Sequence, residues 1–140
     1  MNQQTIQITL DTCVVIDLFE KRNAAGKLRA QLRGKSASIV LCDIVLEEVK
    51  RVRGIKPATT VSRISKLLKR KVTVLTVNQS ERNLASATTA QYQFCHNGDN
   101  LILAFCSTRS IILITFDRKF LSACDVVGVA AFHPSRASSI

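Results

Sequence analysis

Short aliphatic runs recur along this chain, and between most of them lies a stretch long enough for a helix. That alternation constrains the fold more than any other feature, because strands separated by helices are joined by crossovers and lie parallel in one sheet. Strands are expected over residues 6–10, 38–41, 72–75 and 111–114, with a short fifth over 129–132 before a polar tail. Helices are expected over 14–22, 24–32 (with Gly34 near its end), 44–53, 60–71 after Pro57, 99–108 and 118–124. A further helix is expected to be capped by Ser80 and to run to about Phe94, with Glu81 in its first turn where the dipole favours an acid, before a turn at His96-Asn97-Gly98. Aromatics are only 5% of the chain, so Val, Ile and Leu must build the core, as they do in parallel strands buried on both faces. The expected architecture is a three-layer α/β/α fold with a central parallel sheet of four to five strands. The 140 residues suit one domain spanning 1–140, and no repeat, low-complexity tract or linker divides them.

The charge is strongly unbalanced: Lys and Arg number 20 against 10 Asp and Glu, a net charge of +10. No acid occurs between Val49 and Ser80, yet Lys50, Arg51, Arg53, Lys56, Arg63, Lys66, Lys69, Arg70 and Lys71 do. A second acid-free stretch carries Lys21, Arg22, Lys27, Arg29, Arg33 and Lys35. Such clustering favours a polyanion partner, above all nucleic acid; a solvated basic face is the plainer alternative. No apolar run approaches the roughly 20 residues that span a bilayer. The first residues lack the basic and apolar regions of a signal peptide, which points to a cytoplasmic chain with Cys13, Cys42, Cys95, Cys106 and Cys124 as thiols. None of these is spaced as a zinc-binding pair. A phosphate-cradling Gly-x-x-x-x-Gly-Lys loop, a Gly-x-Gly-x-x-Gly turn and a Gly-x-Ser-x-Gly elbow are all missing from the sequence.

Four acids stand where one edge of a parallel sheet could gather them. Asp11 follows the first expected strand and Asp117 the fourth, although a strand-end Asp also begins turns and Asp117 could cap the next helix. Glu48 falls within the apolar arc of Ile44, Val45, Val49 and Val52, whereas Glu47 shares the opposite side with Lys50 and Arg51. A carboxylate on a buried stripe needs compensation, from an arginine or from a metal ion. Asp99 likewise opens a stripe of Ile102, Leu103 and Cys106, with helix capping as the alternative. Gathered together, four carboxylates repel one another unless a hard cation such as Mg²⁺ or Mn²⁺ sits among them. An acidic, metal-binding centre in a basic surface suits phosphodiester hydrolysis, with bases holding the backbone and metal activating water.

The same residues resemble the PIN-domain nuclease family in four blocks that follow the family's order over nearly the whole chain. These are the opening Ile8-Thr9-Leu10-Asp11-Thr12, the helical Val45-Leu46-Glu47-Glu48-Val49, the helix start Gly98-Asp99-Asn100-Leu101-Ile102, and Ile114-Thr115-Phe116-Asp117-Arg118-Lys119-Phe120. The resemblance implies that Asp11, Glu48, Asp99 and Asp117 bind one or two Mg²⁺ or Mn²⁺ and carry the catalysis, with Thr12 and Thr115 supporting them. It implies an RNA substrate, for which Lys50, Arg51, Arg53, Lys56 and Arg118 are candidate contacts. Small members of this size include ribonuclease toxins of the VapC type, commonly homodimers inhibited by a small antitoxin protein; others process RNA. Cys13 stands where the family often has Asn or Ser, and Leu103, Phe105 and Cys106 stand where smaller residues are common. Asp17 matches an acid frequent in the opening motif, and its helix position reads as surface rather than ligand. A non-catalytic basic nucleic-acid-binding domain is the competing reading; it predicts salt-sensitive binding without metal dependence.

Overall fold

In the computed structural model, which describes residues 5–91 and 98–140, the strands are β1 (Ile6–Leu10), β2 (Ala37–Cys42), β3 (Val72–Leu75), β4 (Ile112–Ile114) and β5 (Ala131–Phe132). The helices are α1 (Thr12–Glu20), α2 (Ala24–Gln31), α3 (Asp43–Arg53), α4 (Pro57–Leu68), α5 (Gln79–Gln91), α6 (Asp99–Arg109) and α7 (Arg118–Val127). All five strands are parallel and lie in the order β3-β2-β1-β4-β5. Right-handed crossovers place α1 to α4 on one face, where they pack on one another, and α5 to α7 on the other. This is the α/β/α sandwich that the sequence alternation predicts, with five strands. The sheet's centre is Ile8, Leu10, Ile39, Val40, Leu41, Leu113 and Ile114, all fully buried, and Phe105 and Phe120 fill the space beneath the helices of the second face.

The differences from expectation have local causes. Helix α1 begins at Thr12 rather than residue 14, because the Asp11 carboxylate accepts the Thr12 N–H at 2.8 Å and starts the helix at once. Helix α4 begins at Pro57, a first-turn position where proline's fixed φ suits the helix and its missing N–H costs nothing. Asn78, not Ser80, caps α5: its Oδ1 accepts the Glu81 N–H at 2.9 Å while Glu81 Oε1 accepts the Asn78 N–H at 2.9 Å, a reciprocal capping box. The expected end of that helix at Phe94, the turn residues His96 and Asn97, and Cys95 lie outside the described residues. Val52, read as part of a buried stripe, is 42% exposed because the last turn of α3 runs past its neighbours. The expected polar tail is a 3-10 helix, Pro134–Ser139, seated on α2 with Ala137 fully buried and the Ser138 N–H donating to Gln31 at 2.9 Å.

Part of the positive charge serves the fold. Arg70 donates to the carbonyls of Leu32, Lys35 and Ala37 at 2.7, 2.9 and 2.8 Å, tying the chain before β3 to the chain before β2. Arg29 of α2 reaches the Leu67 carbonyl of α4 at 2.5 Å. Among the described residues the cysteines are free thiols, and no helix is long and apolar enough to cross a membrane.

Candidate active site

From β1 the chain steps outward through β2 to β3, then returns to place β4 on the other side of β1. The carboxyl ends of β1 and β4 therefore flank the point where the strand order reverses, which is where an open α/β sheet offers a crevice. Their register sets Leu10 beside Ile114, so the next residues, Asp11 and Thr115, meet at that edge. Asp11 is 8% exposed and Thr115 is fully buried. The Thr115 hydroxyl donates to Asp11 Oδ2 at 2.7 Å and accepts the Asp117 N–H at 3.1 Å, so one side chain fixes two acids. Asp117 also caps α7, its Oδ1 accepting from Lys119 and Phe120 N–H at 2.9 and 3.3 Å, which leaves Oδ2 outside the cap. Each acid thus makes the turn-and-cap contacts that a strand-end Asp ordinarily makes. A carboxylate has about four lone-pair sites, so neither is exhausted by them.

Cys13 enters this group in a way the sequence does not reveal. Its thiol donates to Asp11 Oδ2 at 3.5 Å and lies 3.7 Å from Thr115 Oγ1. Burial, and after it the Asp11 charge, push the thiol up to about 11, so it stays protonated at neutral pH and remains a donor. The thiol occupies the role an Asn or Ser side chain could fill. Thr12 gives its N–H to Asp11, while its own buried hydroxyl has no hydrogen-bond partner among the described residues.

Glu48 and Asp99 approach from opposite faces of the sheet. On α3, Val45 and Val49 are fully buried, Glu47 is exposed, and Glu48 lies half-buried between them. Gly98 turns the chain into α6 with φ +97°, and a Cβ placed on it would stand 3.6 Å from Ile44 Cγ2 and 4.0 Å from Glu48 Oε2. The Glu48 carboxylate is therefore next to Gly98, and Asp99 follows as the first residue of α6, half-buried ahead of Ile102, Leu103 and Cys106. That positive φ is a region only glycine enters readily, so Gly98 is what allows α6 to start against α3.

Thr115 links Asp11 to the Asp117 backbone, and Glu48 lies against Gly98, the residue before Asp99; among the described residues, no three Asp, Glu, His or Cys side chains form a closed metal-ligand cluster. Their chemistry nevertheless fits a hard divalent cation. All the donors are carboxylate oxygens, the buried Asp11 charge is met only by neutral N–H, O–H and S–H groups, and the orphaned Thr12 hydroxyl adjoins it. Among the described residues no lysine or arginine pairs with Asp11, Glu48 or Asp117, so the salt-bridge explanation of Glu48 does not apply.

The candidate nucleic-acid contacts are all exposed. Arg118 adjoins Asp117 at the start of α7, whereas Lys50, Arg51 and Arg53 occupy the last turns of α3, Arg53 roughly 15 Å along the axis from its start. Lys56 precedes α4, and Arg53 is engaged by Glu20 at 2.5 Å in an exposed pair that costs little to break. Asp17 is not a plain surface residue: its side chain is 16% exposed and holds Lys21 at 2.9 Å. Asp43 is a further acid at the same edge that sequence reasoning passed over. It follows β2 as the first residue of α3, accepts the Val77 N–H at 3.1 Å and thereby anchors the chain leaving β3.

The sequence matches the PIN domain family over residues 8–126. No curated protein matches the chain. Among solved structures, the fold is similar to VapBC2 from Rickettsia felis bound to a promoter DNA fragment, at 15% identity and TM-score 0.68, over 91% of this chain and 98% of that one. It is similar to a toxin–antitoxin complex from Klebsiella pneumoniae at 21% identity and TM-score 0.65, over 91% and 97%. VapBC-1 from nontypeable Haemophilus influenzae matches at 21% identity and TM-score 0.66, over 93% and 99%.

Proposed function

Because the chain belongs to the PIN domain family, a family generally of nucleases, we propose that it is a divalent-metal-dependent endoribonuclease acting through Asp11, Glu48, Asp99 and Asp117. The observation that carries this reading is that, among the described residues, no lysine or arginine pairs with Asp11, Glu48 or Asp117 in a chain of net charge +10, with Asp11 and Asp117 at the point where strand order reverses. Carboxylates that, among the described residues, no base neutralises are the arrangement a cation would complete. Mg²⁺ or Mn²⁺ held there supplies Lewis acidity and a water of lowered pKa. The residues of the chain do the rest. Thr115 and Cys13 orient the Asp11 carboxylate, Thr115 fixes the Asp117 backbone, and the Gly98 turn starts α6, with Asp99 as its first residue, against the helix that carries Glu48. Arg118, with Lys50, Arg51, Arg53 and Lys56 further out, would neutralise RNA phosphates along the strand.

The whole chain is read as one nuclease domain, and the toxin–antitoxin assemblies among its structural neighbours support a VapC-like toxin role with a small antitoxin partner. A homodimer belongs to the same reading. The test is cleavage of labelled single-stranded RNA by the purified chain with Mn²⁺ or Mg²⁺ against EDTA. Metal-dependent endonucleolytic products are expected; metal-independent, salt-sensitive binding to several RNAs without cleavage would instead favour a basic binding domain.

Thr115→Val tests the support of the acids. It removes a buried hydroxyl that joins Asp11 to the Asp117 backbone, so cleavage is expected to fall about 10- to 100-fold, the size of effect seen when an outer-shell partner is lost. Stability is expected to fall by about 1–3 kcal/mol in a urea titration, because the Asp117 N–H loses its acceptor. Unchanged turnover would remove Thr115 from the site.

A further inference from the structure

A cleft of about 720 Å³ opens between α1, α2 and the chain just beyond β5. Leu18 and Leu28 give it an apolar wall, and Phe116 and His133 line it as well. Phe116 lies between Thr115 and Asp117 in the chain, so the cleft adjoins the acidic edge through this one residue. The two rings meet edge to face, with centroids 5.1 Å apart and planes at 78°. The Ser135 N–H donates to His133 Nδ1 at 3.1 Å, so the neutral ring carries its proton on Nε2, which is then a donor.

The uncompensated charge around this cleft is positive. Lys21, Arg22 and Lys27 line it, and its single acid, Asp17, is already held by Lys21 at 2.9 Å. Arg22 and Lys27 are left with no acid opposite them in the cleft. The uncapped start of α2, at Asn23 and Ala24, lies in the same lining and adds the favourable end of a helix dipole for an anion. An aromatic wall with an apolar floor suits a nucleobase, and uncompensated bases beside it suit the attached phosphate. A protein segment would need apolar and acidic side chains together to satisfy both features, whereas a nucleotide presents both in one unit.

We propose that this cleft is a nucleotide subsite that takes one unstacked residue of the RNA beside the cleaved phosphate, its base against the Phe116 ring and its phosphate facing Arg22 and Lys27. The proposal rests on the ribonuclease reading and adds to it a substrate requirement: the RNA is single-stranded or looped at the cut, since a paired base cannot enter.

The chain has no tryptophan, so Phe116→Trp introduces a single reporter ring at the wall of the cleft. Binding of a labelled single-stranded RNA by the full chain is measured in EDTA, where it does not depend on cleavage. Phe116→Trp, which keeps an aromatic face at this wall, is expected to have its emission quenched as RNA is added. Phe116→Ala is expected to bind about tenfold more weakly, within the range for removal of one stacked base, while keeping the parent's circular dichroism. An RNA scanned with a single abasic residue is expected to lose a similar factor at one position for the parent and nothing further for Phe116→Ala. Full RNA affinity in Phe116→Ala, or binding by Phe116→Trp with unchanged emission, would overturn the subsite and leave the cleft to a protein segment. Intact binding and quenching without metal-dependent cleavage by the parent would instead count against the catalytic reading alone.

Discussion

An Asp99→Asn protein is expected to fold as the parent does and to cleave RNA about 100- to 1,000-fold more slowly in Mn²⁺. The magnitude follows from what the carboxylate contributes. Metal catalysis supplies several kcal/mol of transition-state stabilisation, and each 1.4 kcal/mol is about tenfold in rate. Asparagine is close to isosteric and suits a helix start, so the first turn of α6 has no reason to unwind. Single-turnover cleavage measures the rate, calorimetric Mn²⁺ titration measures the affinity, and circular dichroism guards against misfolding. Loss of both rate and affinity with intact spectra is the expected combination. An Asp99→Asn chain with full activity would remove the acids at this sheet edge from the mechanism, and would point to a contaminating nuclease if EDTA also had no effect.

The second large effect lies away from that edge. Glu81 is fully buried at the start of α5, and Arg109 of α6 grips it through Nε and Nη2 at 2.8 and 3.1 Å. Thr108 donates its hydroxyl to the same carboxylate, and Arg109 continues to the Thr76 carbonyl at 2.8 Å. The network ties the end of α6 to the start of α5 and to the chain leaving β3. Arg109→Ala leaves the carboxylate buried without its cation, a change that costs about 3–5 kcal/mol in such pairs. For a chain of this size, that is a fall in Tm of roughly 10 °C, readable by calorimetry. Adding Glu81→Leu to Arg109→Ala is expected to restore much of the loss, since an apolar pair leaves no charge to bury.

The same group gives the parent an acid-sensitive stability. The Arg109 guanidinium, helped by Thr108 and the Asn78 N–H, outweighs burial and holds Glu81 down at about 2 instead of its ordinary 4.5. A depressed carboxyl stabilises the fold fully above its unfolded value and loses that contribution as pH falls from about 4.5 to about 2. The difference corresponds to about 3 kcal/mol at 1.36 kcal/mol per unit. Urea midpoints of the parent are therefore expected to drop across that window, and those of the Glu81→Leu, Arg109→Ala chain to drop less. Equal slopes in the two chains would show that Glu81 is not the group responsible.

Much of the architecture was legible because the strands are short, β-branched and bounded by helix-length intervals, as at residues 72–75, where expectation and structure coincide. Glu48 was legible because a carboxylate interrupts an apolar stripe, and the neighbouring Glu47 was correctly turned to solvent. Val52 was misread because helical periodicity says which side a residue is on, not how far the neighbouring layer extends. Asn78 was missed in favour of Ser80 although the Asn-x-x-Glu spacing was there to see; two candidate caps sit two residues apart, and only the reciprocal bonds with Glu81 decide between them. The Cys13 contact to Asp11 and Thr115 joins the start of α1 to the chain just beyond β4, and the meeting of Phe116 with His133 depends on the path of the chain after β5. Neither has a one-dimensional signature. Nor does the structural use of Arg70, which in the sequence is one base among many.

The contact between Thr115 and Asp11 spans 104 positions of the chain. A ribosome making this chain releases Asp11 about a hundred residues before Thr115, and β4 can dock beside β1 only after everything between them has been synthesised. Until then the carboxylates belong to separate segments, and the sheet edge that brings Asp11 and Asp117 together does not exist. If the folded chain is the nuclease proposed above, its topology delays the hazard until that whole stretch has been made, time in which an inhibitor made alongside it can fold first.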